Sequence, residues 1–390
     1  MVLKKMALAA AMAVVVGCLF TALPCMAGDA AAEEKERVGG VQSLEDRIQR
    51  LEEAIGRDVE GDKWYDRIQI SGLVEVEAGY TETDYDDPAT ADETESTVDL
   101  ATVELVVDAN ITDHVEGHVM VKWEEDELFV DEGFITLVGT DRFPAYLIAG
   151  RQYIPFGNFE SHFVTDPTTL VLGETNNGAV VGGYRFGDER VEVSIGAFNG
   201  RIDKAGDDDT IGSVVGAVVV TPFEGVMVGA SYTSNLAGSD TLSEFVTDRD
   251  GDGDSGDPIA DIVGGWSVFA TVEFLDRFKV IGEYVSALDE FEPGELYDPA
   301  DAKKRQPGAW NVEFGVGILE NLEAAARYGG STDGGDPASG EFMLPESEYG
   351  AVVNWGLFDS TNLAFEYLHG EFESDVQTTD TFTVQLAVEF

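Results

Sequence analysis

Five aspartates sit close together in the run Asp248-Arg249-Asp250-Gly251-Asp252-Gly253-Asp254-Ser255-Gly256-Asp257. Asp248, Asp250, Asp252 and Gly253 match the first, third, fifth and sixth positions of a calcium loop. There, carboxylate oxygens surround a hard cation and a glycine makes the sharp turn. The last ligand of such a loop is a bidentate Glu; here that position is Ile259, and no flanking helices are evident. Asp254, Asp257 or Asp261 could stand in. The pattern predicts a calcium ion held by Asp248, Asp250, Asp252 and Asp254 that stiffens a loop and is not itself carried. A solvated acidic loop is the plain alternative.

Catalysis has little support. Ser161, His162 and Asp166 are the residue types of a hydrolytic triad, but nearness in sequence does not supply triad geometry. His114 and His118 could meet at a strand end and bind a metal, yet two ligands are too few for a structural zinc site.

The elements that would position these residues are mostly strands. The chain ends in Thr381-Phe382-Thr383-Val384-Gln385-Leu386-Ala387-Val388-Glu389-Phe390, which alternates apolar and polar residues to its last atom. Such a strand leaves an awkward edge in a soluble sheet but closes a membrane barrel. Sixteen candidate strands follow from Trp64 onward: 67–80, 97–110, 115–124, 128–138, 145–153, 178–187, 190–199, 211–221, 225–234, 265–275, 277–288, 309–319, 321–330, 347–357, 361–372 and 381–390. Period two is plain in several. Ile68, Ile70, Val74, Val76 and Ala78 oppose Gln69, Ser71, Glu75 and Glu77. Val119, Val121 and Trp123 oppose His118, Lys122 and Glu124. Short turns alternate with long connections at 81–96, 154–177, 200–210, 235–264, 289–308, 331–346 and 373–380. That alternation predicts an all-β, transmembrane antiparallel barrel over 64–390, with the long loops outside the cell. A barrel of about sixteen strands encloses an aqueous channel.

The amino terminus supplies the address. Lys4 and Lys5 precede an uncharged apolar stretch from Met6 to Leu23, and Pro24-Cys25-Met26-Ala27 offers small residues before Gly28. Residues 1–27 read as a secretory signal peptide. A membrane anchor, or lipoprotein processing at Cys18, are the alternatives. Both cysteines lie in this segment, so the mature chain would have no disulfide and no thiolate site. Residues 28–40 are predicted to be a disordered linker. Val41, Leu44, Ile48, Leu51 and Ile55 repeat at heptad spacing, predicting a periplasmic coiled-coil helix over 41–56. Two heptads are marginal alone, so a homotrimer through this helix would need the barrel's help.

Acids outnumber bases 76 to 23, giving a net charge of −53. Phosphate backbones would be repelled, which excludes nucleic acid as a partner. The same charge suits cations.

One segment also carries a resemblance. Gly150-Arg151-Gln152-Tyr153-Ile154-Pro155-Phe156-Gly157, preceded by Asp131-Glu132-Gly133-Phe134-Ile135-Thr136-Leu137, resembles the LbtU-type siderophore porins. More loosely it is similar to the phosphate-selective porins, which share a G-[RK]-x-x-x-P-F-G element after an acidic-aromatic strand. The resemblance spans about 41–390. It implies an outer-membrane channel, not an enzyme, whose constriction would involve Arg151, Tyr153, Phe156 and Glu160, with Arg151 a lumen-facing base or the partner of a lumen carboxylate. Ferric siderophore is the implied cargo. The terminal aromatic Phe390 resembles the mark by which barrel-assembly machinery reads outer-membrane proteins, and lipid is the surrounding partner. Bases are too few for the ladder an anion channel needs. A general or cation-selective porin and a purely structural outer-membrane protein are the competing readings.

Overall fold

The computed structural model describes residues 64–124, 127–187, 189–206, 210–247 and 257–390. The signal peptide, linker and coiled coil expected from the sequence lie outside these residues. So do Asp248, Asp250, Asp252 and Asp254 of the calcium-loop pattern.

Residues Trp64–Arg67 form a single 3-10 turn. From Ile68 onward the chain is a closed barrel of sixteen antiparallel strands. They are β1 (Ile68–Tyr85), β2 (Glu93–Thr112), β3 (Val115–Glu124), β4 (Glu127–Thr140), β5 (Phe143–Tyr153), β6 (Asn176–Phe186), β7 (Val191–Phe198) and β8 (Ser213–Phe223), then β9 (Val226–Thr233), β10 (Gly265–Phe274), β11 (Phe278–Ala287), β12 (Gly308–Leu319), β13 (Leu322–Thr332), β14 (Ser347–Phe358), β15 (Thr361–Glu371) and β16 (Gln377–Glu389). Each strand pairs with its sequence neighbours, and β1 closes on β16 in a register running from Leu73–Glu389 to Tyr85–Gln377. The terminal Phe390 caps this seam through paired backbone hydrogen bonds with Gly72.

All sixteen expected strands are present, and the principal difference is at two connections. Residues 81–85, 93–96 and 377–380, expected within long loops, are strand. The β1–β2 hairpin extends to a turn at 86–92, and β16 begins at Gln377 after a 3-10 turn at Glu373–Asp375. The β1–β2 pairing runs well beyond the end of β3, because threonine-rich polar residues suit a two-sided wet sheet.

The barrel is inside-out relative to a soluble protein. Its outer face carries exposed apolar side chains at alternate positions, among them Ile70, Leu105, Ile135, Ile195, Val218, Val268, Val312 and Phe365. Two aromatic rows border this band. Phe143, Phe186, Phe223, Phe274 and Phe358 lie at the short-turn end. Cross-strand pairing links Tyr232 to Trp266, Tyr284 to Trp310, and Tyr328 to Tyr349 at the other. Trp266 and Phe274 are eight residues apart on β10. That separation is roughly 26 Å along the strand, near the height of a lipid-facing belt once tilt is allowed for. The barrel therefore spans a bilayer.

Inner positions carry polar residues, including Thr102, Ser194, Ser231, Ser267, Thr271, Glu283, Glu313, Arg327, Glu348, Glu366 and Thr383. A second apolar core lies at the long-loop end. Ile202, Leu236, Leu242, Val246, Ile259, Phe291 and Leu296 are fully buried there, so these loops pack on one another.

Candidate functional site

The connection from β5 to β6, residues 154–175, folds against the inner wall. Pro155 and Gly157 turn the chain inward. Gly157 has φ +75°, a conformation that strains any other residue, and a Cβ there would also press on the Phe159 ring at 2.2 Å. A short helix, α1 (Thr168–Gly173), completes the segment with Leu172 fully buried.

Three glutamates of the wall hold the segment at three-residue intervals. Glu283 on β11 accepts from the backbone N–H groups of Asn158 and Phe159, at 2.9 and 2.8 Å. Glu313 on β12 accepts from Ser161 Oγ and the His162 N–H, at 2.8 and 2.7 Å. Glu366 on β15 accepts from the Val164 N–H at 2.6 Å and from Thr165 Oγ1 at 2.5 Å. Charge-assisted bonds of this length are the strong kind. Arg327 on β13 secures the middle. Its guanidinium donates to Glu313, Ser161 Oγ and the Thr165 carbonyl, at 3.0, 2.7 and 2.8 Å. It also lies 4.2 Å from the centroid of Phe163. Only 3% of Arg327 is exposed.

His162 is held through one ring nitrogen and its carbonyl. Its ring nitrogen Nδ1 lies 2.6 Å from Glu323, and its carbonyl accepts from Asn354 at 2.9 Å. The ring fills the space that glycine leaves at 315, where a Cβ would come within 2.5 Å. All these clasps lie on β9–β15.

Strands β1–β4 make the opposite wall. Cross-strand pairs there set Glu75 beside Thr102, Glu77 beside Asp99, Glu104 beside Lys122 and Asp108 beside His118. His118 Nδ1 lies 2.7 Å from Asp108, and its ring stacks on Phe134 at 4.6 Å. Lys122 pairs with Glu124 at 3.2 Å.

Two further acids lie on the segment. Asp166 is open to solvent, but that solvent is enclosed by the barrel. Enclosure pushes its carboxyl above the ordinary aspartate value, while Arg327 and Lys122 oppose the rise. Glu174 is pushed up to about 7 by burial and by the neighbouring charges of Asp166 and Asp240, with Lys122 opposing.

The residues singled out in the sequence fall in different places. Glu160 lies inside the barrel, accepting from Thr271 Oγ1 at 2.7 Å and paired with Lys279. Tyr153 donates its hydroxyl to Asp131 at 3.2 Å, near the entry to the segment. Phe156 is buried in an apolar cluster with Ile154 and Leu172 and does not line the water path. Arg151 pairs in register with Gly133 and Gly178, in the alternation of Leu147 and Ala149 and opposite to Gln152. Its exposed side chain donates to the Asp131 carbonyl at 3.0 Å, so it is neither a lumen-wall base nor the partner of a lumen carboxylate. The positive φ of Gly150, +146°, made this parity hard to read.

Ser161 bonds Glu313 and Arg327, and His162 bonds Glu323, so the triad types do not form a triad. His114 binds the Val138 carbonyl, apart from His118 and its partner Asp108. No cluster of three metal-ligating side chains exists among the described residues. Sequence reasoning missed Glu283, Glu313, Glu366 and Arg327. Their signal was a charged residue at an inward position between aromatic or branched neighbours, as in Phe365-Glu366-Tyr367.

Comparison with known proteins agrees with this architecture. No family model matches the sequence. A UPF0422 protein of Coxiella burnetii is 24% identical over 319 residues, covering 78% of this chain and 64% of its own length. A UPF0422 protein of Legionella pneumophila is 24% identical over 331 residues, covering 77% of this chain and 58% of its own. The chain thus spans about three fifths of these relatives. Among solved structures, the outer-membrane channel DcaP of Acinetobacter baumannii superposes with a TM-score of 0.57 at 17% identity, over 83% of this chain and 97% of that one. OmpF of Salmonella typhi, solved with daunomycin, gives 0.56 at 14% identity, over 83% and 97%. A trimer form of OmpT of Vibrio cholerae gives 0.50 at 12%, over 83% and 99%. The fold is that of the outer-membrane porins.

Proposed function

We propose that this protein is a passive channel of the bacterial outer membrane, with an aqueous lumen narrowed by segment 154–175 and biased toward cations. One observation carries the reading. The segment is fastened to β9–β15, and the opposite wall, β1–β4, sets Glu75, Glu77 and Glu104 on its inner alternation with a single lysine, Lys122. Carboxylates lining a narrow aqueous path raise the local concentration of cations and lower that of anions. No step needs a nucleophile or a cofactor.

Ferric siderophore is the cargo that the family resemblance suggests. A bulky chelate would be admitted by shape, since an acidic path offers no attraction to an anionic one. A homotrimer is the proposed assembly. It is supported by the heptad pattern at 41–56 and by the trimer form of OmpT. Calcium at Asp248, Asp250, Asp252 and Asp254 is proposed as a stiffener of one long loop.

The test is current through the purified protein in a planar bilayer under a potassium chloride gradient. The reading expects steady conductance and a reversal potential of the sign set by potassium, with ferric siderophore causing brief blocks. Absence of current from folded, heat-modifiable barrels would refute the channel. Current without siderophore block would retain the channel and remove that cargo.

A further inference from the structure

Where β8, β9 and β10 meet the long loops, a groove of about 610 Å³ opens on the outside of the barrel. Tyr232 floors its membrane side. This residue is in register with Gly216 and Trp266, both on the lipid-facing alternation, and its ring is 44% exposed in the upper aromatic row. Leu288 adjoins it across Gly264. A Cβ on Gly264 would lie 3.3 Å from both side chains, so this glycine keeps the floor open.

The rest of the lining is polar. Asn235 is buried and fixed, donating to the Ile202 carbonyl at 2.9 Å and to Ser213 Oγ at 3.3 Å. The Ser234 hydroxyl oxygen accepts from the Val214 N–H at 2.8 Å and keeps its own proton to donate. Asp203 and Thr210 stand along the rim. A salt bridge of 2.5 Å between Lys204 and Asp261 links the two loops that frame it.

An exposed aromatic face beside hydroxyl and carboxylate groups suits a sugar ring, which presents an apolar C–H face and a polar edge. It does not suit a bare acyl chain, because filling the groove with hydrocarbon would strip these groups of water without replacing their hydrogen bonds. The groove is continuous with the lipid-facing belt at the long-loop end. Tethering in the membrane would present a headgroup there at high effective concentration. We propose that this groove seats the saccharide headgroup of an outer-leaflet glycolipid. The site is distinct from the lumen and does not require the channel reading.

The full-length protein in detergent is titrated with purified short-core lipopolysaccharide, and retained glycolipid is counted by native mass spectrometry. Phosphatidylglycerol serves as the comparator. Two variants probe the groove from opposite directions. Tyr232→Ala removes the platform, and Gly212→Trp fills the space from an exposed position whose Cβ has room. One glycolipid per chain is expected on the natural protein. Retention should fall roughly three- to tenfold in each variant, the range that loss of an aromatic contact implies. Conductance and heat-modifiable migration should be unchanged. Equal retention by both variants, or equal competition by phosphatidylglycerol, would overturn the proposal.

Discussion

The two walls of the lumen spend their acids differently. On β9–β15, Glu283, Glu313 and Glu366 are buried and satisfied, each accepting from the backbone or hydroxyls of segment 154–175. On β1–β4, Glu75, Glu77 and Glu104 belong to the water path, with Lys122 among them. In the proposed channel, one wall uses charge to hold segment 154–175 in place and the other uses it to act on what passes. Removing a buried, paired acid should therefore change aperture and stability together. Removing a half-buried one that clasps nothing should change selectivity alone.

The largest effect is expected at Arg327. Replacement by Met leaves Glu313 and Glu348 buried with less compensation, and costs of about 3–5 kcal/mol accompany a broken buried pair. The temperature of heat modification on gels should drop and single-channel conductance should rise as the segment loosens. Conductance equal to that of the natural protein would remove the distinction between the walls.

Glu283→Ala comes next. It strands the N–H groups of Asn158 and Phe159 and the hydroxyl of Ser267. Unmet donors cost about 1–3 kcal/mol each, and less where lumen water replaces the lost acceptor. Noisier, larger openings in bilayer recordings are expected.

The opposite wall should respond in the other way. In the double variant Glu75→Gln, Glu104→Gln, stability should stay within about 0.5 kcal/mol of the natural protein. Its reversal potential under a salt gradient should move toward zero. A large loss of stability would show that this wall is also structural.

The smallest effect concerns Glu174. Its carboxyl is held above the usual 4.5, at about 7, so the folded state prefers the neutral form. Well below pH 4.5 the group is neutral in both folded and unfolded states and costs nothing. The penalty grows as pH rises through the interval and is complete above 7. Cation preference should increase as pH rises through about 7, where the folded lumen gains a charge. Glu174→Gln should flatten both trends, and a reversal potential that still steps near pH 7 in this variant would assign the titration elsewhere.

Much of the fold was legible because period two reports directly which side faces lipid. The alternation of Trp266, Val268, Ala270, Val272 and Phe274 needed only its neighbours to be read. The site was less legible because its bonds join residues far apart in sequence. Phe159 and Glu283 are separated by 124 positions, and Val164 and Glu366 by 202. Local pattern could mark Glu283 and Glu366 as inward-facing, but not as partners of one loop. Glu160 and Arg151 were both expected at the lumen from the family resemblance; Glu160 bonds Thr271 and Lys279 inside the barrel, whereas strand alternation puts Arg151 on the outer face.

The most direct test of the account is the reversal potential of the natural protein in a planar bilayer under a tenfold potassium chloride gradient at pH 8. A potential of the sign favouring potassium, reduced in Glu75→Gln, Glu104→Gln but preserved in Glu283→Ala, is the predicted result. A potential favouring chloride, or one unmoved by the β1–β4 substitutions, would contradict it.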